Sequence, residues 1–267
     1  MAMTAGEAWL IGLAGCVLLF TLIWAWQLRS GNAGIVDAWW SLAVGGLGVW
    51  FAAVGPAPAE LRTALAVMAA IWGLRLGGYL LMRNAGKPED ARYARLRDAW
   101  GNRAAINMWL FYQFQALIAS LLAVTFLVVA WRPDMPSTAW FVVALLIWFV
   151  AVTGEALADQ QKYRFRSDPA NRDRVCDVGL WRYSRHPNYF FETLHWLSYV
   201  PLAITAPWGW TSGIGVVLIA LLLLKISGIP TLEGESARQR KGFADYQART
   251  SAFLPWPPRS SSNTGHR

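Results

Sequence analysis

The chain has 267 residues, 55% of them hydrophobic, with 17 tryptophans and a formal net charge of +8. Its mean hydropathy is +0.31, and the apolar residues come in runs long enough to cross a bilayer, about 20 residues each, which excludes an ordinary soluble domain. The positive residues lie between those runs rather than on a basic domain, so topology explains them better than nucleic-acid binding.

The pattern predicts an all-α polytopic membrane protein with seven transmembrane helices. They fall at residues 8–27, 36–54, 64–82, 108–131, 139–157, 190–206 and 213–229. Cys16 lies in the first run and Cys176 in a polar loop, so no bridge is expected, and no His/Cys cluster has zinc spacing. Glu7 and the lack of a positive n-region argue against a cleaved signal peptide. Arg29 occupies the first loop, and dense Lys/Arg clusters the loops after the third and fifth runs and the tail, whereas the alternate loops hold only Arg62 and Arg132. That asymmetry puts the N-terminus outside and the C-terminus in the cytoplasm. Residues 1–258 read as one membrane domain, residues 259–267 as a frayed tail, and Trp39, Trp40, Trp208 and Trp210 as interfacial belts.

Asp37, in VDAWW, opens the second run. It suits a helix N-terminus by the macrodipole, or a substrate pocket as an acid. Arg75 sits about two turns inside the third run, where an arginine is costly unless it pairs or reaches water, so it snorkels or lines a polar cavity. Arg83 and Lys87 could reach a phosphate, and they equally satisfy the topology rule. The segment from Lys87 to Gly101 reads as an amphipathic surface helix, and Gln113 and Gln115 as interhelical hydrogen-bonding groups or cavity lining.

At the end of the fifth run comes GEALADQQKYRFR, in which Glu155 and Asp159 are four residues apart and share a helix face, with Arg166 two turns on. Carboxylates there could accept from ribose hydroxyls and the arginine could fork a phosphate, or the group could be a helix-end salt-bridge cluster. The densest polar stretch is GLWRYSRHPNYFFETLH, residues 179–195, carrying Arg182, Tyr183, Arg185, His186, Asn188, Tyr189 and Glu192 at the mouth of an apolar run. So many polar side-chain types beside a span mark a functional site more than a headgroup anchor. In the tail, Glu233, Glu235 and Arg238 could close a cavity, while Tyr246 and Phe253 pack the cap. No GxGxxG, GxSxG or HExxH motif occurs, so neither a Rossmann site nor these hydrolase chemistries are expected.

GLWRYSRHPNYFFE, GEALADQQKYRFR, VDAWW and the ending GFADYQARTSAFLPWPP together resemble the steroid 5-alpha-reductase superfamily, and within it the bacterial DUF1295 branch, from about residue 35 to 258. The resemblance implies a seven-helix protein that binds NADPH from the cytoplasm and reduces an activated carbon–carbon double bond of a lipid-soluble substrate. It implies Asn188 and Glu192 at the nicotinamide, Asp159 at the cofactor and Arg166 at its phosphates. Glu155 stands where the animal steroid reductases have asparagine. Asp37 lies near their substrate-polarising glutamate, and Trp72 near their partner tyrosine, which leaves Tyr79 as a candidate hydroxyl or excludes a steroid 4-en-3-one. The tail also lacks that family's histidine and tyrosine near Glu235 and Gln239.

The expected cofactor set is therefore Arg75, Arg83, Glu155, Asp159, Arg166, Tyr183, Arg185, His186, Asn188, Tyr189 and Glu192. Asp37 and Tyr79 are the catalytic candidates, with no metal. Two other readings remain open. The isoprenylcysteine and phospholipid methyltransferases share an RHP-type stretch and use S-adenosylmethionine. A non-catalytic membrane protein is the third, although no paired broken helices suggest a transporter.

Overall fold

A computed structural model describes residues 3–234 and 240–259, and the described residues are helical, with one isolated bridge between Arg174 and Lys241 as the sole β pairing. The helices are α1 Ala5–Ser30, α2 Val36–Val54, α3 Ala59–Asn84, α4 Ala91–Trp100, α5 Ala104–Leu122, α6 Val124–Ala130 and α7 Thr138–Ser167. They continue with α8 Pro187–Leu197, α9 Val200–Ala203, α10 Gly213–Leu221, α11 Ile229–Leu232 and α12 Phe243–Arg249. Six helical stretches are long and apolar enough to cross a membrane, as in an integral membrane protein. The expectations for Glu235, Arg238 and the tail beyond Arg259 fall outside the described residues.

The span expected at residues 190–206 is not one long helix. Pro201 has no N–H to offer the carbonyl four residues back, and its ring crowds that carbonyl, so α8 stops at Leu197 and α9 starts afresh at Val200. The Ser198 hydroxyl donates to His195 O at 2.6 Å, satisfying a carbonyl at the break. The last apolar run is irregular too: Leu222–Ile226 is a π-helix, in which the Ser227 N–H reaches Leu222 O at 2.8 Å.

The chain divides into two compact units, Met1–Trp140 with Tyr199–Gly215, and Phe141–Ser198 with Val216–Arg267. In the first, α1 begins in a capping box, with the Thr4 hydroxyl accepting from Glu7 N–H, and stops at Gly31, whose φ of 68° few other residues adopt. The α2–α3 seam is made of small residues. A Cβ on Gly73 would lie 3.0 Å from both the Gly45 Cα and Ser41 O, and one on Gly77 would lie 3.1 Å from Ala38 O. Close backbone approach of this kind supplies van der Waals packing where lipid removes the hydrophobic drive between helices.

Arg132 was a loop charge by sequence but is 2% exposed. It donates to Leu202 O at 2.6 Å and to Asp134 O at 2.5 Å, so its charge is spent on carbonyls that the broken α8–α9 region and the loop after α6 leave open.

In the second unit, α7 is the dominant element. Its 30 residues make a rod of about 45 Å, longer than the roughly 30 Å hydrocarbon layer, so its final turns stand clear of the lipid. Phe191 of α8 packs directly on Gly154 of α7, where a Cβ would overlap its ring.

Candidate functional site

Four polar side chains follow one face of the C-terminal half of α7. Residues 155, 159, 162 and 166 are spaced four, three and four apart, which keeps them within about 60° of each other around the helix. Glu155 and Asp159 are 3% and 6% exposed, while Arg166 is exposed. Glu155, Asp159 and Arg166 were expected to share this face. Lys162 was not singled out. Its ammonium lies 3.9 Å from the centroid of the Trp181 ring. That ring is itself fixed, because Trp181 Nε1 donates to Ala158 O at 2.8 Å and the indole packs with Phe165 and Cys176. Burial pushes the Cys176 thiol upward, outweighing the hydrogen bond from Val178, so this cysteine is a packing residue rather than a nucleophile.

The turn before α8 is held from both sides. Gly179, at φ +57°, starts the short 3-10 turn Gly179–Arg182, and Gln161 of α7 accepts from the Leu180 N–H at 2.8 Å. On the other side the C-terminal segment closes over it. Arg185 Nε and Nη2 donate to Glu233 Oε1 and Oε2 at 2.8 and 3.1 Å, and Nη1 donates to Thr250 O and Gln247 O at 2.6 and 3.1 Å. His186 Nε2 lies 2.8 Å from Glu233 Oε1. The Tyr246 hydroxyl donates to Trp181 O at 2.5 Å, Ser184 Oγ to Phe253 O at 2.8 Å, and the Trp256 N–H to Tyr183 O at 2.9 Å.

Arg185 and His186 were expected at the cofactor. The structure occupies them instead with the chain's own tail, leaving Arg185 one N–H to spare out of five. Burial pulls the Glu233 carboxyl upward, but the hydrogen bonds from His186 and Arg185 win and hold it at about 2. Burial lowers His186, and this outweighs the attraction of Glu233.

Asn188 occupies the first turn of α8, next to the N-terminal Pro187. Its Oδ1 is buried with no hydrogen-bond partner among the described residues. Tyr189 stacks on His186 at 5.3 Å, and Glu192, 5% exposed, accepts from Trp196 Nε1 at 2.8 Å. Tyr183 is 42% exposed and its backbone, not its hydroxyl, ties the turn to the tail.

The first unit holds a separate constellation. Asp37 accepts from the Tyr93 hydroxyl at 2.6 Å on one oxygen and from Arg92 Nη2 at 2.9 Å on the other. Arg92 also bonds Asp90, and Burial of Tyr93 is nearly complete at 3% exposed. Beside them Glu89 accepts from Arg97 at 2.9 Å and from the Ala33 N–H at 2.7 Å. The segment read as a plain surface helix is thus the floor under Asp37. Arg83 is tied locally, to Asn84 Oδ1 at 3.4 Å and over the Tyr79 ring at 6.0 Å. Arg75 and Tyr79 are half-buried on α3, and Trp72 is fully buried.

The comparisons with known proteins extend this picture. The family model DUF1295, described as a protein of unknown function, matches residues 23–250. The chain belongs to the DUF1295 family. The match takes in both constellations, from Asp37 to Gln247. Among curated proteins, this DUF1295 chain is similar to an uncharacterised protein of Schizosaccharomyces pombe, 28% identical over 220 residues, covering 71% of this chain and 62% of the relative. The chain thus spans less than two thirds of that relative's length. No solved structure matches.

Proposed function

We propose that this DUF1295 chain is a membrane-embedded reductase that uses NADPH to saturate an activated carbon–carbon double bond of a lipid-soluble substrate, such as an enone. The observation that carries the reading is the buried Asn188 Oδ1 without a partner. An amide oxygen left open in a protein interior costs about 1–3 kcal/mol, and an incoming carboxamide N–H would satisfy it. The polar face of α7 fits a dinucleotide as well. Buried Glu155 and Asp159 can accept from ribose hydroxyls, and exposed Arg166 on the same face can fork a phosphate. Glu192, one turn along α8 from Asn188, is held in place by the Trp196 indole.

When bound, the cofactor supplies a hydride to the β-carbon of the alkene. The double-bond electrons then move onto the carbonyl oxygen, and a proton from a protein hydroxyl or water completes the α-carbon. The chain's part is to hold and to stabilise: Asn188 orients the carboxamide end, and a hydrogen-bond donor meets the oxygen as charge develops there. For that donor we retain Tyr79; Asp37, whose two oxygens accept from Tyr93 and Arg92, holds the Tyr93 hydroxyl rather than donating. Arg185 and His186 become positioning residues that fix the turn before Asn188 through Glu233. Tyr189, stacked on His186, belongs with them.

The proposal keeps seven crossings, with the N-terminus outside and the C-terminus cytoplasmic, in a bacterial inner membrane. Residues 187–203 supply the seventh: the 11 residues of α8, the 4 of α9 and the two-residue break between them cover about 25 Å, nearly the hydrocarbon thickness. In support, Leu202 lies against Arg132, in the loop that follows α6.

Calorimetry on detergent-purified protein tests the reading. Wild type is expected to bind NADPH, while Asn188→Ala and Arg166→Ala lose binding yet elute as folded monodisperse protein. Tight S-adenosylhomocysteine binding without NADPH binding would move the chain to the methyltransferases. NADPH binding unchanged in both variants would remove the cofactor-site assignment.

A further inference from the structure

The α7 face offers Glu155, Asp159, Lys162 and Arg166 in succession, running from the buried to the exposed end of the helix. Lys162 stands at its centre, between the carboxylate of Asp159 and the guanidinium of Arg166. A ligand lying along that face and touching both neighbours has to pass Lys162.

The ammonium is also held in place rather than left to wander. A lysine side chain normally has wide rotamer freedom, which a ligand must freeze on binding. Here the Trp181 ring has already localised it, at 3.9 Å, and that ring is hydrogen-bonded to Ala158 O. A ring face engages the charge but accepts none of the three ammonium hydrogens in an ordinary hydrogen bond. The charged groups reaching Lys162 are Arg166 and Arg240, which repel it, and Asp159, which attracts it. Along the face, Lys162 and Arg166 are neighbouring cations beyond the carboxylates of Glu155 and Asp159. An anion with several acceptor oxygens suits such a pair, and a phosphoryl group is the chemistry that matches two neighbouring cations on one helix face.

We propose that Lys162, seated on Trp181 and paired with Arg166, is a phosphate-contacting residue of the dinucleotide site. The inference rests on the reductase reading above, which supplies the dinucleotide. A lipid headgroup carries the same phosphate chemistry, so the experiment has to separate the two sources. It also gives Trp181 a role: the indole is a platform that positions the ammonium, not a ligand contact itself.

The test uses full-length protein in nanodiscs of pure phosphatidylcholine and, separately, with phosphatidylglycerol added. NADPH affinity is measured for wild type, Lys162→Met, Lys162→Gln and Lys162→Arg. Loss of one charge-assisted hydrogen bond predicts at least about tenfold weaker NADPH binding for Met and Gln, with Arg restoring most of it, in both lipid compositions. Two neutral variants guard against one failing to fold, and monodispersity is checked for each. NADPH binding equal to wild type in the neutral variants overturns the inference while leaving the reductase reading intact. If those variants instead lose only a phosphatidylglycerol-dependent thermal stabilisation, the phosphate is a lipid's and the dinucleotide assignment is overturned. Wild type that binds no NADPH in either lipid overturns both readings together.

Discussion

Glu233 receives Arg185 side-on, with Nε–Oε1 at 2.8 Å and Nη2–Oε2 at 3.1 Å, while His186 shares the first of those oxygens at 2.8 Å. Residues 48 and 47 positions apart in the chain thereby fasten the C-terminal segment to the turn that presents Asn188. Replacing Glu233 by Gln keeps the shape and removes the charge. The largely buried guanidinium then loses its partner, and we expect destabilisation of about 2–3 kcal/mol. Hydrogen exchange should show this as faster exchange confined to residues 183–186 and 246–256.

The same clamp sets an acid limit. Glu233 is held near 2 against an ordinary 4.5, so its contribution is complete above 4.5 and is lost as pH falls toward 2. His186 is lowered from 6.5, so it too favours the folded state more above 6.5 and less as pH falls through its folded value. Both titrations therefore weaken the fold in the same direction. The charges around them are Arg185 and Lys162, and Gln247 also bonds Glu233. Thermal unfolding in detergent should show the melting temperature falling in two stages below pH 6.5. In Glu233→Gln the lower stage, worth about 2 kcal/mol after allowing for partial solvation, should be missing.

Tyr93 is the sole buried residue of α4, and its hydroxyl depends on Asp37. In Asp37→Ala, Arg92 keeps Asp90 at 3.0 Å, whereas the Tyr93 hydroxyl is stranded. The expected cost is about 1–3 kcal/mol. Asp37→Ala combined with Tyr93→Phe should recover most of it, since removing both partners leaves nothing unsatisfied. A double-mutant cycle on melting temperature measures the coupling, and additive losses would show that the pair does not interact.

The α2–α3 seam has no room for side chains. Gly73→Val would drive methyl groups into the Gly45 Cα and Ser41 O, both 3.0 Å from its Cβ. We expect a loss of about 2 kcal/mol or more, because the seam has to part. Gly78→Ala, in the same helix with nothing near its Cβ, is the control and should be neutral or slightly stabilising.

Much of this architecture was legible from hydropathy and charge. Runs of apolar residues locate the crossing helices because bilayer thickness fixes their length, and the four-residue spacing of Glu155 and Asp159 puts them on one face without further information. What escaped was whatever depends on contacts distant in sequence or on backbone chemistry. Hydropathy counts apolar atoms, so it passed over Pro201, whose missing N–H breaks the run at 190–206. Lys162 was counted as a loop charge because the apolar run ends near residue 157, although the helix continues to Ser167. Arg132 looked like a topology marker, yet carbonyls exposed 70 residues away claim it. The RHP stretch announced a polar cluster correctly, but composition could not say that Arg185 and His186 would be occupied by Glu233. Tyr93 and Asp37, 56 residues apart, gave no signal beyond a tyrosine amid charges.

The overlong α7 has one more effect. A rod that crosses the lipid and then carries charged groups on its protruding end couples those groups to membrane thickness. Counted from Thr138, a layer of roughly 30 Å ends just short of Asp159, so in a bilayer thicker by one helical turn, about 5.4 Å, the hydrocarbon edge would pass Asp159 and leave Arg166 in water. Acyl-chain length is thus a dial on how much of the ladder stays wet, one that works without any molecule entering the site.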